Sequence, residues 1–118
     1  MAKNLIFNGC DGLAVVCSDP ATPASGDPVR FGERCGVAQA NEQSDGKTVV
    51  DFTPGRGYDL SVKAVDGGGN SAVAFGDKLY YVDADTPKLS KKSTGRFFGY
   101  ALETITSGST DTINVMLA

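Results

Sequence analysis

Residues 75–83 read FGDKLYYVD, and fifty positions earlier residues 25–31 read SGDPVRF. Each places Gly-Asp ahead of apolar residues two apart, Val29 and Phe31 in the first and Leu79 and Tyr81 in the second. A spacing of two is the repeat of a strand with one buried face, and a glycine just before it supplies the turn from which the strand starts. The echo runs beyond the dipeptide. After the first Gly-Asp come Gly36-Val37-Ala38 and, behind an Asp-Gly turn, Thr48-Val49-Val50-Asp51-Phe52. After the second come Gly99-Tyr100-Ala101 and, behind a Ser-Gly turn, Thr112-Ile113-Asn114-Val115. The matched order predicts a pseudo-duplicated half-barrel in which Gly26-Asp27 and Gly76-Asp77 are turns that each open a strand.

Outward from these two segments, no window of about 11 residues keeps the i, i+3, i+4, i+7 pattern of a helix without being cut by Gly or Pro. Alternating runs predict strands near 4–7, 12–17, 28–32, 35–40, 47–52, 58–65, 72–75, 78–83, 97–105 and 111–117. In the last, Ile113, Val115 and Leu117 face one way and Thr112, Asn114 and Met116 the other; Leu60, Val62 and Ala64 oppose Asp59, Ser61 and Lys63. Asp45-Gly46, DGGGN at 66–70 and SGST at 107–110 supply the positive φ that tight turns require. A helical turn is expected at most around 20–25 or 40–44. The whole predicts a mainly β fold: a single small β-barrel or sandwich of short antiparallel strands spanning 1–118, with 1–10 as a candidate extended N-terminal arm.

Composition narrows the function. The chain has 118 residues, 41% of them apolar and 21% charged, with 15 Gly and 5 Pro, which suits a globular chain with one modest core. Eleven Lys and Arg against fourteen Asp and Glu give a formal charge of −3, the wrong sign for a protein that coats phosphate backbones. The opening MAKNLIFNGC has one Lys and a three-residue apolar run, short of a signal-peptide core or of the ~20 residues of a membrane span. No membrane partner and residence in a cytoplasm after synthesis are therefore expected. The absence of His excludes His-dependent triads and His-bearing zinc sites. Cys10, Cys17 and Cys35 match no zinc or thioredoxin spacing and read as reduced thiols packed as small apolar groups.

Motifs that could carry chemistry fall short of it. Gly46-Lys47-Thr48 ends like a phosphate-binding loop, but Asn41 stands where that loop needs Gly, and the strand-like Val49-Val50-Asp51-Phe52 follows where it needs a helix. An Asp-Gly turn accounts for it. VDGGGNSA at 65–72 has no basic residue or helix after it to complete an anion site, and reads as a surface turn. Asp83, Asp85 and Glu103 could be paired carboxylates, yet nothing supplies a partner base, and the acidic scatter fails the calcium-loop spacing. The segment KKSTGRFFGYALE at 91–103 interleaves basic and aromatic residues as single-strand-binding sheets do. On that reading Lys91, Lys92, Arg96, Phe98 and Tyr100 would bind single-stranded nucleic acid, with Phe98 and Tyr100 on one face and Phe97 on the other; core or subunit packing of the rings is the competing reading. No catalytic residue, cofactor or metal is indicated.

Taken together, MAKNLIF, SGDPVRFG with CGVA, LSVKAVDGGGNSAVAFGDKLYYVD, KLSKKSTGRFFGYALETITSG and INVML resemble the tailed-phage capsid cement, or head decoration, proteins, most specifically over 60–101. The resemblance implies a small β-rich subunit, commonly trimeric, that sits on the outside of the virion head and clamps neighbouring major capsid protein subunits without catalysis. It implies turn and core roles for Gly26, Asp27, Gly36, Val37, Ala38, Gly76, Asp77, Gly99 and Ala101. It also implies a segment reaching to a neighbour at Lys3, Asn4, Leu5, Ile6 and Phe7, the alternative being that 4–7 is the first strand of its own barrel. Arg96 and Phe97 are further candidates for capsid or subunit contact, and nucleic acid is no partner in this reading. The cysteines and the Pro20/Pro23 loop depart from the family pattern. Some members carry a recombinase-like label, against which the incomplete phosphate loop and the lack of helices argue here.

Overall fold

The computed structural model describes residues 12–118; the strand expected at 4–7, the arm at 1–10 and Cys10 lie outside the described residues. The strands are β1 (Gly12–Val15), β2 (Pro28–Phe31), β3 (Arg34–Ala38), β4 (Thr48–Asp51), β5 (Gly57–Lys63), β6 (Val65–Asp66), β7 (Gly69–Asn70), β8 (Lys78–Tyr81), β9 (Leu89–Ser90), β10 (Arg96–Ala101) and β11 (Thr110–Leu117). There is no helix among the described residues. Around 20–25 and 40–44 a helical turn gives way to bonds between the two loops: the Ser25 amide donates to Asn41 Oδ1 at 2.9 Å and the Glu42 amide to the Pro23 carbonyl at 3.0 Å.

Strands β1-β4-β3-β2 form one sheet, and β10-β11-β5-β9-β8 close into a five-stranded barrel. The two are copies of one plan. In the first copy Gly26 has φ +88°, its amide donates to the Ala38 carbonyl, the Ala38 amide donates to the Asp27 carbonyl, and Asp27 Oδ2 accepts the Ala24 amide at 3.0 Å. In the second, Gly76 has φ +88°, its amide donates to the Ala101 carbonyl, the Ala101 amide donates to the Asp77 carbonyl, and Asp77 Oδ2 accepts the Ala74 amide at 2.8 Å. The registers agree as well: Val29 pairs with Gly36 as Leu79 pairs with Gly99, Ala38 with Val50 as Ala101 with Val115, and Gly12 with Asp51 as Gly57 with Met116.

Four expectations change. Each copy builds its own sheet, so the echo does not describe two halves of one barrel. Thr48 corresponds to Ile113 and not to Thr112, because Val15 pairs with Thr48 as Leu60 pairs with Ile113; Ile113 lies 12 positions after Ala101, where Thr48 lies 10 after Ala38. Gly36 and Gly99 lie inside β3 and β10 and are not turn residues. They are glycines because a Cβ at 36 would stand 2.5 Å from the Asp51 carbonyl oxygen and one at 99 would stand 2.0 Å from that of Met116. The strand expected at 72–75 reduces to one bridge between Val73 and Ile105, since the Phe75-Gly76 turn follows at once.

The copies differ in how they close. Gly32, at φ +63°, and Glu33 turn β2 directly into β3. Between β8 and β10 the chain makes the excursion 82–95, and its β9 slots between β8, antiparallel, and β5, parallel. In the first copy that slot is missing: the Arg30 amide donates to the Asp19 carbonyl at 2.8 Å, drawing the chain after β1 straight onto β2. One strand fewer leaves little interior. The first core is Val29, Ala38 and Val50, with Val15, Cys17 and Phe31 packed against it. The second holds Leu60, Val62, Leu79, Tyr81, Leu89, Phe98, Ala101, Ile113, Val115 and Leu117, and extends through Cys35 and Val37 of β3.

Candidate docking surface

The outer face of the first copy is already occupied. Arg30, Cys35, Val37 and Asp51 point out of β2, β3 and β4 and meet the second copy. Arg30 grips Asp83 with Nε at 2.9 Å and Nη2 at 2.6 Å, a two-pronged bond that holds the Asp83 carboxyl below the usual carboxylate range. Beside it the Tyr81 hydroxyl donates to Asp19, and Lys88 Nζ lies 2.9 Å from the same carboxylate. Burial, reinforced by Asp19, pushes the Tyr81 hydroxyl above its ordinary value. Asp51 is 1% exposed and binds the Tyr58 hydroxyl, the Thr53 amide at 3.0 Å and Arg56 Nη1 at 3.2 Å. Burial pushes its carboxyl up, but the hydrogen bonds from Tyr58 and Thr53 and the Arg56 charge outweigh it and leave the group below its ordinary value. Cys35 is buried in this joint, and desolvation raises its thiol to about 12. Cys17 and Cys35 are both unbridged.

No segment among the described residues covers the corresponding face of the second copy. Tyr80 stands at the register position of Arg30, Phe97 at that of Cys35, Tyr100 at that of Val37 and Met116 at that of Asp51. Their rings form one cluster: Phe97 lies 5.9 Å from Tyr80 and 5.4 Å from Tyr100 between centroids, with Lys78 Nζ 5.7 Å above it. Phe97 is 39% exposed. A groove of about 330 Å³ opens beside it, lined by Glu33, Arg34, Cys35, Phe97, Phe98 and Ala118.

Of the residues singled out by sequence, Arg96 and Phe97 fall in this patch, Arg96 paired with Glu33 at 3.1 Å; Lys3, Asn4, Leu5, Ile6 and Phe7 lie outside the described residues. The nucleic-acid face is not assembled as expected. A bulge between Phe97 and Gly99 turns Phe98 inward, to 2% exposure, and brings Phe97 beside Tyr100, so Phe98 cannot stack a base. Lys91 Nζ is held by Asp77 at 3.2 Å and the Ala72 carbonyl at 2.9 Å, Lys92 by Asp85 at 2.7 Å. The three acids considered as paired carboxylates are apart in role: Asp83 serves Arg30, Asp85 serves Lys92, and Glu103 accepts the Asn114 amide at 2.7 Å. At 41–48 the Asp45 carboxylate accepts the Lys47 amide and β4 follows, and 65–70 is the β6–β7 hairpin, so both are turns.

Sequence reasoning missed Tyr80 and, more consequentially, Phe75. Phe75 is 71% exposed at the tip of the Ala74–Asp77 turn, where the first copy has Ser25. The signal was available, since the two segments that open the repeat differ at that position. Val16, 67% exposed, likewise stands where the second copy has Ser61.

A sequence model of the family described as phage cement protein matches residues 9–117. No curated protein and no solved structure matches the chain.

Proposed function

Because the chain belongs to the phage cement protein family, and so has a structural role at the phage capsid, we propose that it decorates and stabilises the head from outside, binding major capsid protein subunits as a homotrimer. It is made in the host bacterial cytoplasm and runs no reaction. Its contacts, with the capsid or with other copies of itself, are Phe75, the segment Lys3, Asn4, Leu5, Ile6 and Phe7, and the edge at Arg96 and Phe97.

Phe75 is the observation that carries this reading. Single exposed apolar residues are ordinary on protein surfaces. This one has an internal control: the Ala24–Asp27 turn makes the same glycine, amide and carboxylate bonds with Ser25 at its tip. The phenyl ring therefore adds nothing to the turn and is apolar surface available to a partner. Burying it contributes about 1.5–3 kcal/mol, roughly 10- to 100-fold in affinity for each subunit, and joining three such contacts multiplies the effect through avidity.

The test mixes purified protein with expanded heads and counts bound copies. Phe75→Ser and removal of residues 2–8 should each lower occupancy while leaving the melting temperature within about 2 °C of the parent. Unchanged occupancy in both variants would refute the assignment.

A further inference from the structure

We infer that the Tyr80–Phe97–Tyr100 face is a self-association surface, and that its occupant is the first sheet of a second copy of this chain. The inference deepens the proposal above only in taking the assembly to be a homo-oligomer.

The repeat is what points to a second copy. Within one chain, the outer face of β2, β3 and β4 is covered by the end of the neighbouring barrel, where Arg56, Tyr58 and Arg96 receive Asp51 and Glu33. The second copy presents the same face, strand for strand, and its residues are more apolar: Tyr80 for Arg30, Phe97 for Cys35, Tyr100 for Val37 and Met116 for Asp51. No segment among the described residues covers it, and Phe97 stays 39% exposed at its centre. Aromatic residues clustered at the middle of a patch are the composition of an interface core.

Two of the positions that receive the first face recur in every copy's first sheet. The positions that receive the first face have counterparts at the end of the first sheet, Leu13 in the register of Tyr58 and the exposed Arg34 in that of Arg96. Docking the second face of one copy on the Leu13–Arg34 end of the next repeats between chains the part of the internal contact made by Tyr58 and Arg96, without the Asp83 and Lys88 that the excursion 82–95 adds to it. Such a contact joins two different surfaces, and it closes into a ring when its rotation divides a full turn. A capsid protein seated on the rings would not need this repeat; a second copy follows from it.

The test is solution mass by light scattering over a concentration series, with Phe97→Asp and Phe75→Ser compared to the parent. The parent and Phe75→Ser should share one oligomeric mass, and Phe97→Asp should give the monomer mass or at least a tenfold weaker association. A parent that is monomeric throughout, or a Phe97→Asp protein with the parental mass, overturns the inference. Should Phe97→Asp fail to fold by circular dichroism, hydroxyl-radical footprinting of the parent decides: Tyr80, Phe97 and Tyr100 must become protected as concentration rises, and constant reactivity overturns the inference. A protein that oligomerises through this face yet ignores expanded heads sinks the decoration proposal and leaves this one standing.

Discussion

Gly99→Ala tests the closest backbone approach in the barrel. The added carbon would lie 2.0 Å from the Met116 carbonyl oxygen, 3.0 Å from its carbonyl carbon and 3.3 Å from the Leu117 Cα. Ordinary contact begins at 3.4 Å, so β11 must retreat by more than an ångström, and backbone cannot rotate away as a side-chain tip can. The retreat loosens the pairs Gly99–Leu117, Tyr100–Met116 and Ala101–Val115 that join the two strands. Overpacking of this kind costs about 1–3 kcal/mol, and each weakened backbone hydrogen bond adds about 1 kcal/mol. Against this, replacing glycine reduces unfolded-chain entropy by roughly 0.4–1 kcal/mol. The net expectation is about 2–4 kcal/mol of destabilisation, or a fall of about 10 °C in melting temperature. Gly67→Ala is the control, because nothing lies within 4 Å of its added carbon; it should change stability by less than about 0.5 kcal/mol. Urea unfolding and thermal melts of both variants decide the matter. A Gly99→Ala protein that melts within about 2 °C of Gly67→Ala would refute the close approach and, with it, the reason for glycine at that position.

The remaining expectations concern the joint and the thiols. Asp51, Asp77 and Asp83 all have folded values below those of the unfolded chain, so the stability they contribute is fully present above about pH 5 and is lost as pH falls through the depressed folded values; urea midpoints at pH 7, 4 and 3 should fall in that order. Asp51→Ala, which leaves Tyr58 without its buried acceptor, should cost about 1–3 kcal/mol at pH 7 and flatten part of that acid dependence. Cys35, buried and raised to about 12, should react with an aromatic disulfide reagent at pH 8 only after unfolding, and denatured, unreduced protein should titrate three free thiols; a fast native Cys35 would contradict the buried joint. Hydrogen exchange should be slowest in β5, β10 and β11 and faster in β1 and β2, with the reverse order counting against the unequal cores.

How much of this was legible depends on whether the cause was local. The strand Ile113-Asn114-Val115-Met116-Leu117 reads correctly because one face is buried and the other is not, and that alternation is written in adjacent residues. The paired Gly-Asp turns read correctly because positive φ selects glycine. Strand β9 was invisible: Leu89-Ser90 alternates with nothing and becomes a strand only because β8 and β5 both offer it an edge. The bulge at Phe97–Phe98 has no local signature either, since its setting is the approach of Gly99 to Met116 across the sheet. That error reassigned the rings, burying Phe98 and exposing Phe97. The two-sheet arrangement was hidden for the same reason, because which strand closes on which is decided between distant segments.

One insertion explains most of the asymmetry between the two copies. The excursion 82–95 supplies β9, which widens four strands to five and gives the second copy an interior large enough for Tyr81, Phe98 and Leu89. It also supplies Asp83 and Lys88, which bind Arg30 and Asp19 of the first copy. The short Gly32-Glu33 turn gives the first copy neither. With three fully buried apolar residues the first sheet cannot hold itself closed, and it relies on lending Cys35 and Val37 to its neighbour's core and Asp51 to Tyr58. Its outer face is thereby committed within the chain, while no segment among the described residues covers the equivalent face of the larger barrel, which carries Tyr80, Phe97 and Tyr100. A duplication that kept both hairpins short would have two weak sheets and no face to spare; the inserted strand is what lets one copy stabilise the other and still present an aromatic surface outward.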